Sequence, residues 1–126
     1  LGWASEILAS VGEVVTLDEA ALDAVTGLSG SGPAYVFLLA EALTSAGVAV
    51  GLERSTADTL TRQTLLGAAR LLVESGEDPA QLRRNVTSPG GTTAAGLAVF
   101  EERGFTELVA AVVAAATHRS RELGAT

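Results

Sequence analysis

The sequence predicts an all-α fold, and three observations carry that prediction. Of its 126 residues 48% are apolar but only 4% aromatic, a composition that favours closely packed helices over an aromatic-filled sheet core. The only strand-like run, Val14-Val15-Thr16-Leu17, is too short to found a sheet. Clusters of serine, glycine and proline punctuate the chain at positions that suit helix starts. One domain of six or so helices is expected.

Taken in order, residues 1–11 read as the tail of a helix that continues from something before Leu1, a remnant of an interdomain helix, and residues 12–126 as the helical domain itself. Asp18 is placed to cap a short helix carrying Leu22 and Val25 that ends near Gly27. Ser29-Gly30-Ser31-Gly32-Pro33 opens a long helix, about Pro33 to Ala46, interrupted only by Glu41, Thr44 and Ser45. A second long helix, about Arg54 to Ser75, carries a Gly67-Ala68-Ala69 patch where another backbone could come close. Asp78 and Pro79 start a short helix reaching about Arg84, Ser88 and Pro89 start one that Gly104 breaks after Arg103, and Thr106 to Leu123 is regular and amphipathic.

A helix apolar on every face needs neighbours on every face, which one chain of this size supplies poorly. The helix at Pro33 to Ala46 therefore predicts an intertwined homodimer. Eight basic against fifteen acidic residues give a net charge of −7, which argues against nucleic acid or an anionic membrane as partner. Without cysteine there are no disulfides or thiolate metal sites, and no metal site is expected. The lone His118 falls off the helical stripe Leu108, Val109, Val112, Val113, Ala116, so it is read as a solvated helix position, which makes a histidine-based triad improbable. Glu41, Glu101 and Glu102 are read as solvated or capping groups. Gly27, Gly30 and Gly32 do not have the spacing of a dinucleotide fingerprint, no P-loop lysine is present, and Ser29 and Ser31 lack a nucleophile-elbow context. No apolar run is read as membrane-spanning and no signal peptide is visible, so a cytoplasmic protein is expected.

The most informative stretch is Asn85-Val86-Thr87-Ser88-Pro89-Gly90-Gly91-Thr92-Thr93. It reads as a helix start with Ser88 as N-cap and Pro89 in the first helical position. Two glycines would follow inside the helix, each costing on the order of 1 kcal/mol of helix propensity relative to alanine. With no Cβ at Gly90 or Gly91, a carboxylate or phosphate can approach backbone N–H groups that have no intrahelical partner.

The run Val25-Thr26-Gly27-Leu28-Ser29-Gly30-Ser31-Gly32-Pro33-Ala34-Tyr35, then Leu66-Gly67-Ala68-Ala69, then Asn85 to Thr93, resembles the C-terminal domain of pyrroline-5-carboxylate reductases. Glu41-Ala42-Leu43, Ala46-Gly47-Val48 and Ala94-Ala95-Gly96-Leu97 fit as well, so the resemblance spans about Val11 to Leu123. It implies an intertwined helical dimerisation and substrate-binding domain whose N-terminal Rossmann partner, the main binding site for NADPH or NADH, is absent from this chain. It also implies protomers that complete each other's active sites, and dimers that assemble further into rings in some members.

The implied reaction is hydride transfer to the C=N bond of 1-pyrroline-5-carboxylate, giving L-proline. By resemblance Ser88, Gly90, Gly91, Thr92 and Thr93 bind the substrate, with the Thr93 hydroxyl near the ring nitrogen as the catalytic group, in the sense of hydrogen bonding and orientation. Asn85 and Glu19 are implied cofactor contacts. Thr92 stands where the family can have alanine. The fragment alone is expected to be inactive. The alternative is a non-catalytic helical homodimerisation module, and a strand followed by G-x-G-x-x-G upstream of Leu1 would separate the two.

Overall fold

A computed structural model describes residues 2–125, and all regular structure among them is helical. Helix α1 (Gly2–Ala9) is followed by extended chain and then by a 3₁₀ turn at Glu19–Ala21. Asp18 does precede that turn in extended conformation, but its side chain makes no capping bond. Helix α2 (Leu22–Val25) does not end at Gly27 as the sequence suggested. It runs into a π turn, Thr26–Gly30, closed by the Ser31 N–H donating to the Thr26 carbonyl at 2.9 Å, and α3 (Gly32–Ala49) follows directly.

The wider winding has a reason. Gly27 is buried against the last helix, α7 (Phe105–Gly124). A Cβ there would lie 2.9 Å from both the Thr117 nitrogen and the Val113 carbonyl oxygen, and closer still to Thr117 Oγ1. The Thr117 hydroxyl is turned onto the Val113 carbonyl at 2.8 Å, and Tyr35 Oη donates to the Gly27 carbonyl at 2.9 Å. Ser120 Oγ donates to Asp23 Oδ1 at 2.6 Å. One residue without a side chain thus lets α2, α3 and α7 meet at a point.

Helix α4 (Arg54–Ser75) folds back on α3 through the bend at Val50 to Glu53. Small residues line the seam: Thr44, Ala57 and Thr61 are buried, and a Cβ on Gly47 would touch the Ala57 methyl at 3.2 Å. The Gly67-Ala68-Ala69 patch is exposed, with nothing within 4 Å of a Gly67 Cβ, so it closes no contact inside the protomer. Glu53 caps α4 by accepting from the Ser55 hydroxyl and the Thr56 N–H. These bonds, Ser55's first, hold its carboxyl below the usual range, so the cap is intact above that range and weakens as pH falls through the lowered value. Asp78 opens α5 (Pro79–Asn85), accepting from the Ala80 and Gln81 N–H groups at 2.7 and 3.2 Å. Helix α6 (Thr92–Glu102) turns into α7 at Gly104, where Phe100 and Phe105 meet edge to face with centroids 4.8 Å apart.

Among the described residues Ala57 is the only buried apolar side chain. Val36, Phe37, Leu38 and Leu39, successive residues that point round most of the α3 circumference, are all exposed. The accessible surface is 9976 Å² for 12.7 kDa, where a compact monomer of that mass would expose about 6,200 Å². The excess is of the order that obligate interfaces cover. By length and composition the continuous helical stretch Glu19–Ala49 also reaches a bilayer's span, which corrects the reading that no run does. That stretch passes from 3₁₀ to α to π and back to α winding and carries Ser29, Gly30, Ser31 and Pro33 at its middle.

Gly27→Ala is expected to destabilise the fold by about 1–3 kcal/mol through overpacking against α7. Tyr35→Phe, which keeps the ring and loses the bond to Gly27, should cost about 1 kcal/mol. Urea unfolding of both variants measures this, and an unchanged midpoint for Gly27→Ala would show that the α2–α7 contact is not close.

Candidate active site at the α5–α6 link

The link between α5 and α6 carries most of the residues singled out in the sequence. Ser88, Pro89, Gly90 and Gly91 form a β-turn closed by the Gly91 N–H donating to the Ser88 carbonyl at 3.0 Å. Gly90 has φ +68°, the left-handed value that the third position of a Pro-Gly turn demands. Ser88 is therefore the first residue of a turn and not an N-cap, and Pro89 and Gly90 lie outside the helix. The helix begins at Thr92, with Gly91 in the capping position in extended conformation and no side-chain cap. Proline at the second turn position and glycine at the third encode a turn more strongly than a helix start.

The later helix start still leaves backbone donors without partners beside the glycines. The first bond closing α6 is from the Ala95 N–H to the Gly91 carbonyl at 3.1 Å, so the N–H groups of Thr92, Thr93 and Ala94 lack intrahelical partners and sit at the positive end of the helix dipole. Among the described residues the hydroxyls of Ser88, Thr92 and Thr93 also make no hydrogen bond. Threonines that follow a helical turn, Thr26, Thr87 and Thr117, spend theirs on the carbonyl four residues back. Thr92 and Thr93 stand in the first turn, where no helical carbonyl lies behind them. A Cβ on Gly91 would stand 3.2 Å from the Ser88 carbonyl oxygen, so a side chain there would crowd the turn beside these donors.

At the other end of the link Asn85 closes α5. Its Oδ1 accepts from Gln81 Nε2 at 2.7 Å and its Nδ2 donates to Glu77 Oε2 at 3.5 Å. Gln81 Oε1 in turn accepts from Arg84 Nη2 at 2.6 Å. Sequence reading passed over Glu77, Gln81 and Arg84, although the three- and four-residue spacings from Gln81 were the available signal. Glu19 lies in the 3₁₀ turn, and among the described residues no substantial packing joins that turn to α5 within one protomer. Two grooves of the protomer, one lined by Leu8, Leu17, Leu22 and Leu28 and another by Leu39, Leu97, Phe100 and Phe105, do not include residues 85–93. His118 is exposed beside Glu122, as expected of a solvated position. Among the described residues no group of acidic and histidine side chains could hold a metal.

Comparison with known proteins shows which family the chain belongs to. Residues 19–123 match the family described as pyrroline-5-carboxylate reductase dimerisation. The pyrroline-5-carboxylate reductase of Synechocystis sp. is 53% identical over 124 residues, covering 98% of this chain and 46% of that protein, and that of Pseudomonas aeruginosa is 53% identical over 121 residues, 95% and 44%. The crystal structure of a Plasmodium falciparum pyrroline carboxylate reductase with NADP bound superposes with a TM-score of 0.88 at 37% identity, covering 98% of this chain and 50% of that one. A Coxiella burnetii pyrroline-5-carboxylate reductase superposes at 0.92 with 44% identity, 97% and 46%. The chain belongs to the pyrroline-5-carboxylate reductase family and matches its dimerisation region. It spans about half the length of these relatives.

The two helix starts should respond differently to alanine. Asp78→Ala removes a side chain that accepts two N–H bonds and is expected to cost about 1 kcal/mol. Ser88→Ala should leave stability within about 0.5 kcal/mol of the parent, because Ser88 caps nothing. Thermal unfolding of the two variants distinguishes the assignments.

Proposed function

We propose that this chain is the C-terminal, dimerising and substrate-binding part of an NAD(P)H-dependent reductase that converts 1-pyrroline-5-carboxylate to L-proline in the cytoplasm. The observation that carries the reading is the start of α6, where three uncommitted N–H groups and the hydroxyls of Ser88, Thr92 and Thr93 gather next to a glycine pair. A small ring bearing one carboxylate suits it. In this reading α1 is the end of an interdomain helix, residues 12–126 are the domain proper, and two protomers interlock, with rings of dimers as a further level of assembly.

The carboxylate is held by the Thr92, Thr93 and Ala94 N–H groups, which are charge-assisted donors fixed in direction by the helix. Gly91 leaves the approach open. Thr93 places its hydroxyl at the ring nitrogen and orients the C=N bond; a threonine hydroxyl is too weak an acid to be the proton source at neutral pH, so its contribution is positional. A bound nicotinamide cofactor would supply a hydride to the carbon of the C=N bond, with a proton added at nitrogen. The residues present fit one end of such a cofactor. The exposed Asn85 amide keeps one N–H and one lone pair free, the complement of a ring carboxamide. Nothing among the described residues offers the strand and glycine turn that would hold its phosphates, which the reading assigns to an N-terminal domain.

Sedimentation at micromolar concentration should show two chains and no folded monomer, since the exposed apolar surface requires a partner. The chain by itself should oxidise no NAD(P)H with pyrroline-5-carboxylate. In the full-length protein Gly91→Val should raise KM by roughly tenfold or more, because a branched side chain obstructs the carboxylate's donors. Thr93→Ala should lower kcat/KM by up to about tenfold with the dimer intact. If both variants match the parent in steady-state kinetics, the turn is only a helix start and the chain is a dimerisation module.

A further inference from the structure

The side chains around α5 form a relay whose direction is dictated by the chemistry of its ends. Arg84 Nη2 donates to Gln81 Oε1, Gln81 Nε2 donates to Asn85 Oδ1, and Asn85 Nδ2 donates to Glu77 Oε2. A guanidinium can only donate, and an ionised carboxylate can only accept. The two amides between them can therefore sit only one way round: turning either one, or both, sets donor against donor or acceptor against acceptor. Helix geometry holds the members in place, since Gln81, Arg84 and Asn85 share a face at three- and four-residue spacing. Glu77 is fixed by its own N–H donating to Ser75 Oγ at 3.2 Å and by the Asp78 cap beside it.

We propose that Gln81 is a positioning residue for the nicotinamide cofactor, acting through Asn85. The inference rests on the reading of Asn85 as a cofactor contact. An asparagine amide free to turn offers a ligand its N–H and its oxygen in either order. The relay favours one of the two orders while it is intact, so the one N–H and one lone pair that Asn85 has left are presented mainly in one arrangement, and a cofactor amide meets them at a lower ordering cost.

The test is NADPH affinity of the full-length protein, followed by fluorescence without turnover, for Gln81→Glu in the parent and in an Asn85→Ala background. A carboxylate at position 81 still takes the Arg84 guanidinium but cannot donate to Asn85, whose amide must turn round to donate to it. In the parent background Gln81→Glu is expected to raise the Kd for NADPH about three- to tenfold with the unfolding temperature unchanged. In the Asn85→Ala background the same substitution should change it by less than about twofold. Gln81→Met, which fills the volume without hydrogen bonding and without adding charge, should also weaken NADPH in the parent background only. Equal effects in both backgrounds would assign Gln81 a purely structural role and overturn the proposal, as would parental affinity in Gln81→Glu. Because Kd is read without catalysis, these outcomes decide the relay even in a protein that fails to reduce pyrroline-5-carboxylate, whereas a parent that binds no NADPH overturns it.

Discussion

The structure depends on apolar surface that one copy of the chain has no means of covering. Helix α3 presents side chains such as Phe37 and Leu38 outward in successive directions, and inside the protomer only α4 packs along its length. Burying a large aliphatic or aromatic side chain is worth about 1.5–3 kcal/mol, and within a single chain side chains such as Phe37 and Leu38, each 66% exposed, realise only part of that gain. Folding of such a chain gains further hydrophobic stabilisation when a second surface arrives, which couples its stability to association.

What the protomer does hold together by itself is held by small residues and by hydrogen bonds. The seam between α3 and α4 closes where Gly47 meets Ala57, and the approach of α7 to the π turn closes where Gly27 has no side chain. Close helix approach through small residues gives many weak dispersion contacts with little area removed from water. The polar links Tyr35 to Gly27 and Ser120 to Asp23 then fix register where packing alone would not. The result is a set of helices accurately placed on one another and open on their other faces.

The candidate site follows the same economy. Among the described residues no buried charge or metal cluster is assembled; beside the hydroxyls of Ser88, Thr92 and Thr93, the donors are backbone N–H groups that every helix start possesses. They are made useful by the Pro89-Gly90 turn, which ends the α5 segment and aims the chain so that α6 begins on a glycine. Since the N–H groups belong to the backbone, their positions depend on the turn and on the open position at Gly91 and not on neighbouring side chains. The Asn85 relay adds a directional side-chain element on this surface.

The sequence by itself determined the helical class, the ends of α4, the cap at Asp78, the need for a partner and, through the pattern from Asn85 to Thr93, the family. These are local or compositional properties, written in capping residues, glycine and proline positions and apolar distribution. It misled where two local signals compete. Ser88-Pro89 reads as a helix start until Gly90 is seen to need a left-handed turn, and Gly27 reads as a helix end until α7 is placed against it. Tertiary structure alone decided that Gly47 and not Gly67 makes the close approach within the protomer, because both are glycines within long helices and only the fold says which one meets a neighbour. It decided the orientation of the Asn85 amide for a related reason: a direction of hydrogen bonding is a property of four side chains brought together, and no single residue carries it.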